Sequence, residues 1–366
     1  MGEILGLGIS HWPRLGQPDE NLAILLRNTL KDPDIPVAAK DPANWPAPMR
    51  AEWGDDEGRA AAPAHRASMV RGLQRVRTKL DEFNPDAIVV WGDDQYENFR
   101  EDIIPPFCVL GYQEAIETRP WGAMPNYWGE NSETTFRVKN APDIAKALVS
   151  GLIEESFDVA YAYKPLHHPG LPHAFLNTVL YLDYERQGFP YPLIPFQVNC
   201  YGRHVISHRG IGYRFADADI ALDPPSPSPA RCFDLGRAAA RVMARSPWRI
   251  ALVASSSWSH AFLCDKTWHL YPDVPSDRRL YEALVAGDYA AWRSTPLAAI
   301  EESGQHELLN WFCLVGAMSE LGAKLEWSEF VETYAFNSDK VSAIFTPGNS
   351  VAPNAAPAGG AAVGVR

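Results

Sequence analysis

The chain has 366 residues, 46% of them hydrophobic, and a formal charge of −12 at pH 7. That length supports one large α/β domain or two smaller ones. The negative charge argues against nucleic acid and anionic membranes as partners, because both would be repelled, and it points to a small-molecule ligand. No run reaches 18 uninterrupted apolar residues, and MGEILGLG has neither a basic n-region nor a small-residue cleavage site. A cytoplasmic protein is therefore expected. Cys108, Cys200, Cys232, Cys264 and Cys313 are widely spaced, with no C-x-x-C pair. They predict buried, reduced thiols rather than a disulfide frame or zinc ribbon.

In chain order, EILGLGIS (3–10) predicts a buried strand that runs into His11. The proline-rich DPANWPAPMRAEWGD (41–55) reads as a surface loop near a mouth, and residues 65–83 carry a helical pattern. AIVVWG (87–92) predicts a second strand, closed by GDDQYENF, and CVLGY (108–112) a third. A helix is predicted over 141–156, then a strand at VAYAY (159–163) followed by LHHPGLPHAF. PLIPFQVN (192–199) reads as a strand, DPPSPSPA (223–230) as a loop, and 230–245 as a helix. RIALVASSS (249–257) predicts a strand closed by SSWSHAF, and 276–294 a long helix. Alternating strands and helices predict an α/β fold, a single domain over 1–346 with a central mixed sheet flanked by helices. The Pro/Gly/Ala-rich residues 347–366 are expected to be disordered.

Several motifs fail on spacing. Gly6 and Gly8 lack the third glycine of a dinucleotide fingerprint, since His11 takes its place. SSSWSHA has no G-x-S-x-G elbow. QHELLNW looks like a zincin helix, but Asn310 stands where the second zinc histidine belongs. His306 then reads as a solvated helix residue.

In an open α/β sheet, chemistry gathers where strands end, so polar groups there form the candidate site. His11 reads either as a capped strand-end histidine donating to a carbonyl or as a ligand. Asp93 and Asp94 are a solvated loop or a metal-facing pair. His167 and His168 flank a turn and read as solvated, whereas His173 opens an apolar helix-like run. Glu307 is a helix-surface carboxylate or a buried one in need of a cation. Histidines at several strand ends plus one carboxylate are what a two-histidine, one-carboxylate Fe(II) site requires.

In their order along the chain, GISHWPRLG, AIVVWGDDQYENFREDIIPPFCVLG, PHAFLNTVL, RCFDLGRA, SSSWSHAF and ESGQHELLNWFCLVGAM carry a family likeness. The chain resembles the LigB-type (class III) extradiol ring-cleavage dioxygenases, such as the catalytic subunit of protocatechuate 4,5-dioxygenase. The resemblance covers most of residues 1 to 346. It implies a LigB-like fold, His11 and Glu307 as iron ligands, His260 as the acid/base residue and His173 as a donor to substrate or oxygen. Where the family carries a histidine ligand in an N-D-H type sequence, this chain reads Asp93-Asp94-Gln95. Gln95 thus falls in the ligand's place, with Asp94 as the alternative donor, and an amide oxygen is a weaker ligand suited to harder ions. Trp12, Tyr96 and Trp258 are candidates to wall an aromatic ring.

The resemblance implies Fe(II), a small aromatic substrate of catecholic or related type, O₂ and a possible homo-oligomer. Two other functions stay open. One is a hydrolase or lyase working through His260 and His173 with zinc or no metal, and the other is a binding protein on the same scaffold.

Overall fold

The computed structural model describes residues 2–122, 125–210 and 220–346. The predicted disordered tail, 347–366, lies outside the described residues. Ten strands are present among those described: β1 (Glu3–Ile9), β2 (Ala87–Gly92), β3 (Phe107–Leu110), β4 (Ile116–Thr118), β5 (Phe136–Val138), β6 (Ala160–Ala162), β7 (Leu193–Val198), β8 (Arg249–Ser255), β9 (Lys324–Val331) and β10 (Lys340–Thr346). Eight form one sheet in the order β6-β3-β7-β2-β8-β1-β10-β9, while β4 and β5 make a separate antiparallel pair. The expected α/β architecture with a mixed sheet is what the chain adopts. β7, β2, β8 and β1 run parallel, and β10 and β9 continue antiparallel at one side.

The two-residue period of the strands sorts their side chains onto two cores. Val89 and Trp91 of β2 and Ile250 and Leu252 of β8 enter one, whereas Ile88, Val90, Ala251 and Val253 enter the other. Both faces are covered, which is why these strands read as continuous apolar runs.

The helix Leu309–Leu321 is buried almost all round, because it lies between the sheet and the helix Pro229–Ala244. Gly6 and Gly8, which failed as a dinucleotide motif, serve this packing. A Cβ on Gly8 would overlap the Trp311 indole, and one on Gly6 would overlap Met318. Gly236 and Gly316 likewise let the two helices approach at the Cys313 and Phe233 carbonyls.

Two sequence expectations need correction, and two strands of the sheet were missed. The single helix over 276–294 is two, Val274–Ala286 and Tyr289–Arg293. Gly287 takes φ +70°, and the Asp288 side chain caps the second helix by accepting from the Ala291 N–H. The proline-rich 41–55 is not a plain surface loop. It contains the helix Ala47–Trp53 and buries Trp45, Met49 and Trp53. β9 and β10 were not anticipated, since β9 is half exposed and lacks a continuous apolar run.

All five cysteines are buried and unpaired, as expected. No helix among the described residues is long and apolar enough to cross a membrane.

Candidate active site

The three adjacent parallel strands β1, β8 and β2 bring their carboxyl ends together, and each delivers a titratable group just beyond its end. His11 follows β1, Asp93 follows β2, and His260 follows β8. His173 opens the helix His173–Leu182, and Glu307 sits in the short 3-10 turn His306–Leu308 just before the helix Leu309–Leu321.

His11 is fully enclosed, and its Nδ1 lies 2.9 Å from the Ser255 carbonyl. Nδ1 is therefore the protonated nitrogen and donates to that carbonyl, which leaves a lone pair on Nε2. The strand-end cap and the ligand role, posed as alternatives, are two ends of one ring. Nε2 lies 3.4 Å from Glu307 Oε2 and 3.7 Å from Asp93 Oδ1. Burial, with His173 nearby, holds the His11 pKa well below its ordinary value, so the ring is neutral. Asn177 Nδ2 donates to the His11 carbonyl and fixes the backbone there.

Glu307 is 1% exposed, which answers the question of whether it is a surface carboxylate. Tyr201 donates its hydroxyl to Oε1 at 2.5 Å, and Gln95 Nε2 donates to the same oxygen at 3.0 Å while also contacting the Tyr201 hydroxyl. Oε2 accepts no hydrogen bond of ordinary geometry. Burial raises the Glu307 carboxyl to about 7 against the opposing pull of Tyr201 and His173.

The neighbouring acids of the GDDQ segment part company. Asp94 turns its carboxylate into its own loop, accepting the backbone N–H groups of Glu97, Asn98 and Phe99. The expectation that Asp94 offers an alternative metal donor is thereby corrected, because those N–H groups already occupy its lone pairs. Asp93 faces the site with 0% exposure. Gln95, which the resemblance set in a ligand's place, donates its amide nitrogen to Glu307, so its Oε1 is the atom left to face a cation.

His260 Nε2 lies 3.4 Å from Glu307 Oε1, and burial, reinforced by Lys340, lowers its pKa to about 3. Its ring is a neutral proton acceptor. His173 is the opposite. Although burial opposes it, the Glu97 carboxylate 2.8 Å from Nδ1 raises its pKa to about 10, so its ring is a charged donor. The His173 ring meets that of His11 edge-on, with centroids 5.1 Å apart.

The proposed aromatic wall is not assembled. Trp258 is enclosed in the core against Trp292 and Trp311, and Trp12 packs on His65 with the Lys340 ammonium over its ring. Tyr96 takes φ +60°, donates its hydroxyl to Glu101 and lies against the Arg100 and Arg209 guanidinium groups. His306, expected to be solvated, is buried with both ring nitrogens lacking a hydrogen-bond partner among the described residues. Glu97 and Tyr201 were missed at the sequence level. Tyr201 lies three residues past β7, so the strand-end rule could have found it.

A divalent cation fits this donor set. Donors each about 2.1 Å from one ion and at right angles lie about 3 Å apart, close to the His11 separations above. His11, Asp93 and His173 also place one ligand-capable atom each within 4.8 Å of the others.

No family model matches the chain. It is 26% identical over 230 residues to a 2,3-dihydroxyphenylpropionate/2,3-dihydroxicinnamic acid 1,2-dioxygenase from Burkholderia vietnamiensis, covering 62% of this chain and 57% of that protein. The protein of the same name from Paraburkholderia phymatum is 27% identical over 223 residues, covering 60% and 55%. One from Rhodococcus globerulus is 23% identical over 282 residues, covering 70% and 83%. The chain thus spans about half the length of the first two of these curated relatives.

Proposed function

We propose that residues 1–346 form one catalytic unit of an oxygen-dependent enzyme that cleaves the ring of a small catecholic or related aromatic substrate. The distant likeness to proteins named as dihydroxyphenylpropionate dioxygenases supports the reaction class. The observation that carries it is convergence. His11, Glu307, His173 and His260 come from separate segments of the chain, yet meet at the carboxyl ends of β1, β2 and β8 with opposite protonation preferences.

In this reading His11 Nε2 and Glu307 Oε2 hold an Fe(II) ion, which would supply the site where diol oxygens and O₂ meet. The neutral His260 ring accepts a proton from the substrate hydroxyl and returns it later. The charged His173 ring donates a hydrogen bond to negative charge developing on oxygen, and Glu97 keeps that ring protonated. Tyr201 and Gln95 hold Glu307 Oε1 so that Oε2 stays aimed at His11.

The test is oxygen uptake by protein purified anaerobically and loaded with Fe(II), with 2,3-dihydroxyphenylpropionate and simpler catechols supplied. A product heavier than substrate by both atoms of O₂ is expected. Anaerobic turnover with zinc or no metal would instead favour a hydrolase or lyase. Tight substrate binding without turnover would favour a binding protein.

A further inference from the structure

Among the described residues, Asp93 is the buried acid with neither carboxylate oxygen provided for. Its residue is 0% exposed, and neither carboxylate oxygen has a hydrogen-bond partner among the described residues. Two other buried acids are provided for on both oxygens: Asp94 by three backbone N–H groups, and Asp277 by the Ser259 N–H and the Gln305 amide. A buried carboxylate without partners is costly, and a cation, strong donors or a bound proton offsets that cost. His11 Nε2, which carries a lone pair and cannot donate, lies 3.7 Å from Oδ1, and a His173 ring nitrogen lies within 4.8 Å of the same cluster.

We propose that Asp93 is the third protein ligand of the metal, so that the ion is held by one histidine and two carboxylates: His11, Asp93 and Glu307. The inference rests on the reading that the site holds a divalent ion. Two neighbouring groups have one end committed: Gln95 gives its amide nitrogen to Glu307 and Tyr201, and His173 gives its Nδ1–H to Glu97, so the variants below separate them from Asp93. With two carboxylates the donor set balances the charge of a divalent ion and is harder than a two-histidine set. Such a set accommodates Mn(II) as well as Fe(II).

The test is metal binding by full-length protein stripped with EDTA, measured by calorimetry and by metal analysis after dialysis, with Fe(II) under nitrogen and with Mn(II). Wild type is expected to take up one equivalent of either ion. Asp93→Asn should weaken binding by more than about 100-fold, beyond what loss of an outer hydrogen-bond partner produces, while Gln95→Ala should weaken it by no more than about tenfold. Melting supplies a readout that a merely structural role would not give. EDTA-treated Asp93→Asn should melt higher than EDTA-treated wild type, because a buried unpaired charge is gone, and should lose the upward shift that metal gives wild type.

Binding retained in Asp93→Asn, or lost in His173→Gln but not in Asp93→Asn, overturns the assignment and leaves the oxygenase reading standing. A wild type that binds neither ion removes both.

Discussion

Glu97 holds His173 at two points: its carboxylate accepts the backbone N–H at 2.9 Å and the ring Nδ1–H at 2.8 Å. The same carboxylate therefore sits at the start of the helix His173–Leu182, where negative charge is favoured, and keeps the ring charged. Glu97→Gln should keep the backbone bond but let the His173 pKa fall from about 10 toward the ordinary histidine range. Turnover at neutral pH should drop by about 10- to 100-fold. An NMR titration of the His173 ring that does not move in the variant would sink this account.

His260→Ala should abolish turnover, a loss of about 100-fold or more, while leaving the fold intact. The ring is enclosed against Glu307 and Phe262, but its backbone N–H to the Gly304 carbonyl survives the change. Steady-state rates beside far-UV circular dichroism separate lost chemistry from lost structure. Unchanged turnover removes the acid/base role.

Asp94→Ala should cost stability rather than metal. Its carboxylate serves the N–H groups of Glu97, Asn98 and Phe99, and leaving those donors without a partner costs about 2 kcal/mol or more. Urea unfolding should show the loss, and the folded variant should bind Mn(II) as wild type does. A stable variant with impaired metal binding contradicts the separation of Asp94 from Asp93.

Gly8→Ala should destabilise by about 1 to 3 kcal/mol, because a Cβ there overlaps the Trp311 indole and forces β1 from the helix Leu309–Leu321. The same helix is preceded by Glu307, so the separation of Glu307 from His11 should change too. Denaturant midpoints test the first effect and metal affinity the second.

Acid should destabilise the protein through its buried neutral histidines. Burial, with Lys340 and Arg66 nearby, pushes His65 well below the ordinary histidine value of 6.5. As pH falls below 6.5, the unfolded chain binds a proton there that the folded chain refuses. The His65 contribution is thus fully present above pH 6.5 and is lost as pH falls below it. His260 and His306, both lowered to about 3 by burial, act in the same direction, while the contribution of His173, raised to about 10, is lost only as pH rises above 6.5 toward 10 and is constant below 6.5. In EDTA-treated protein, His65→Gln should flatten the decline of stability between pH 6.5 and 5 by up to about 1.4 kcal/mol per pH unit. An equal slope in wild type and variant would show that His65 is not held neutral.

The sequence by itself determined most of the central sheet and named candidates for the site. Strands buried on both faces must be apolar throughout, so β1, β2, β3, β7 and β8 were legible to within two residues at each end. The strand-end rule drew attention to His11, Asp93, His173 and His260, and the apolar helix to Glu307, and the fold brings these side chains near one another. Tertiary structure decided what each of them is. Asp93 and Asp94 are the same residue type one position apart, and only the N–H groups of the 97–99 turn make one a cap and leave the other facing His11. Gln95, which the resemblance set in a ligand's place, uses its amide nitrogen to hold Tyr201 and Glu307. Trp12 and Trp258 had the composition of a substrate wall but were taken by the core, because large aromatic surface is buried wherever packing allows. Local sequence reports what a side chain can do. Its protonation, partners and direction depend on groups up to hundreds of residues away, which only the closed fold puts within 4 Å.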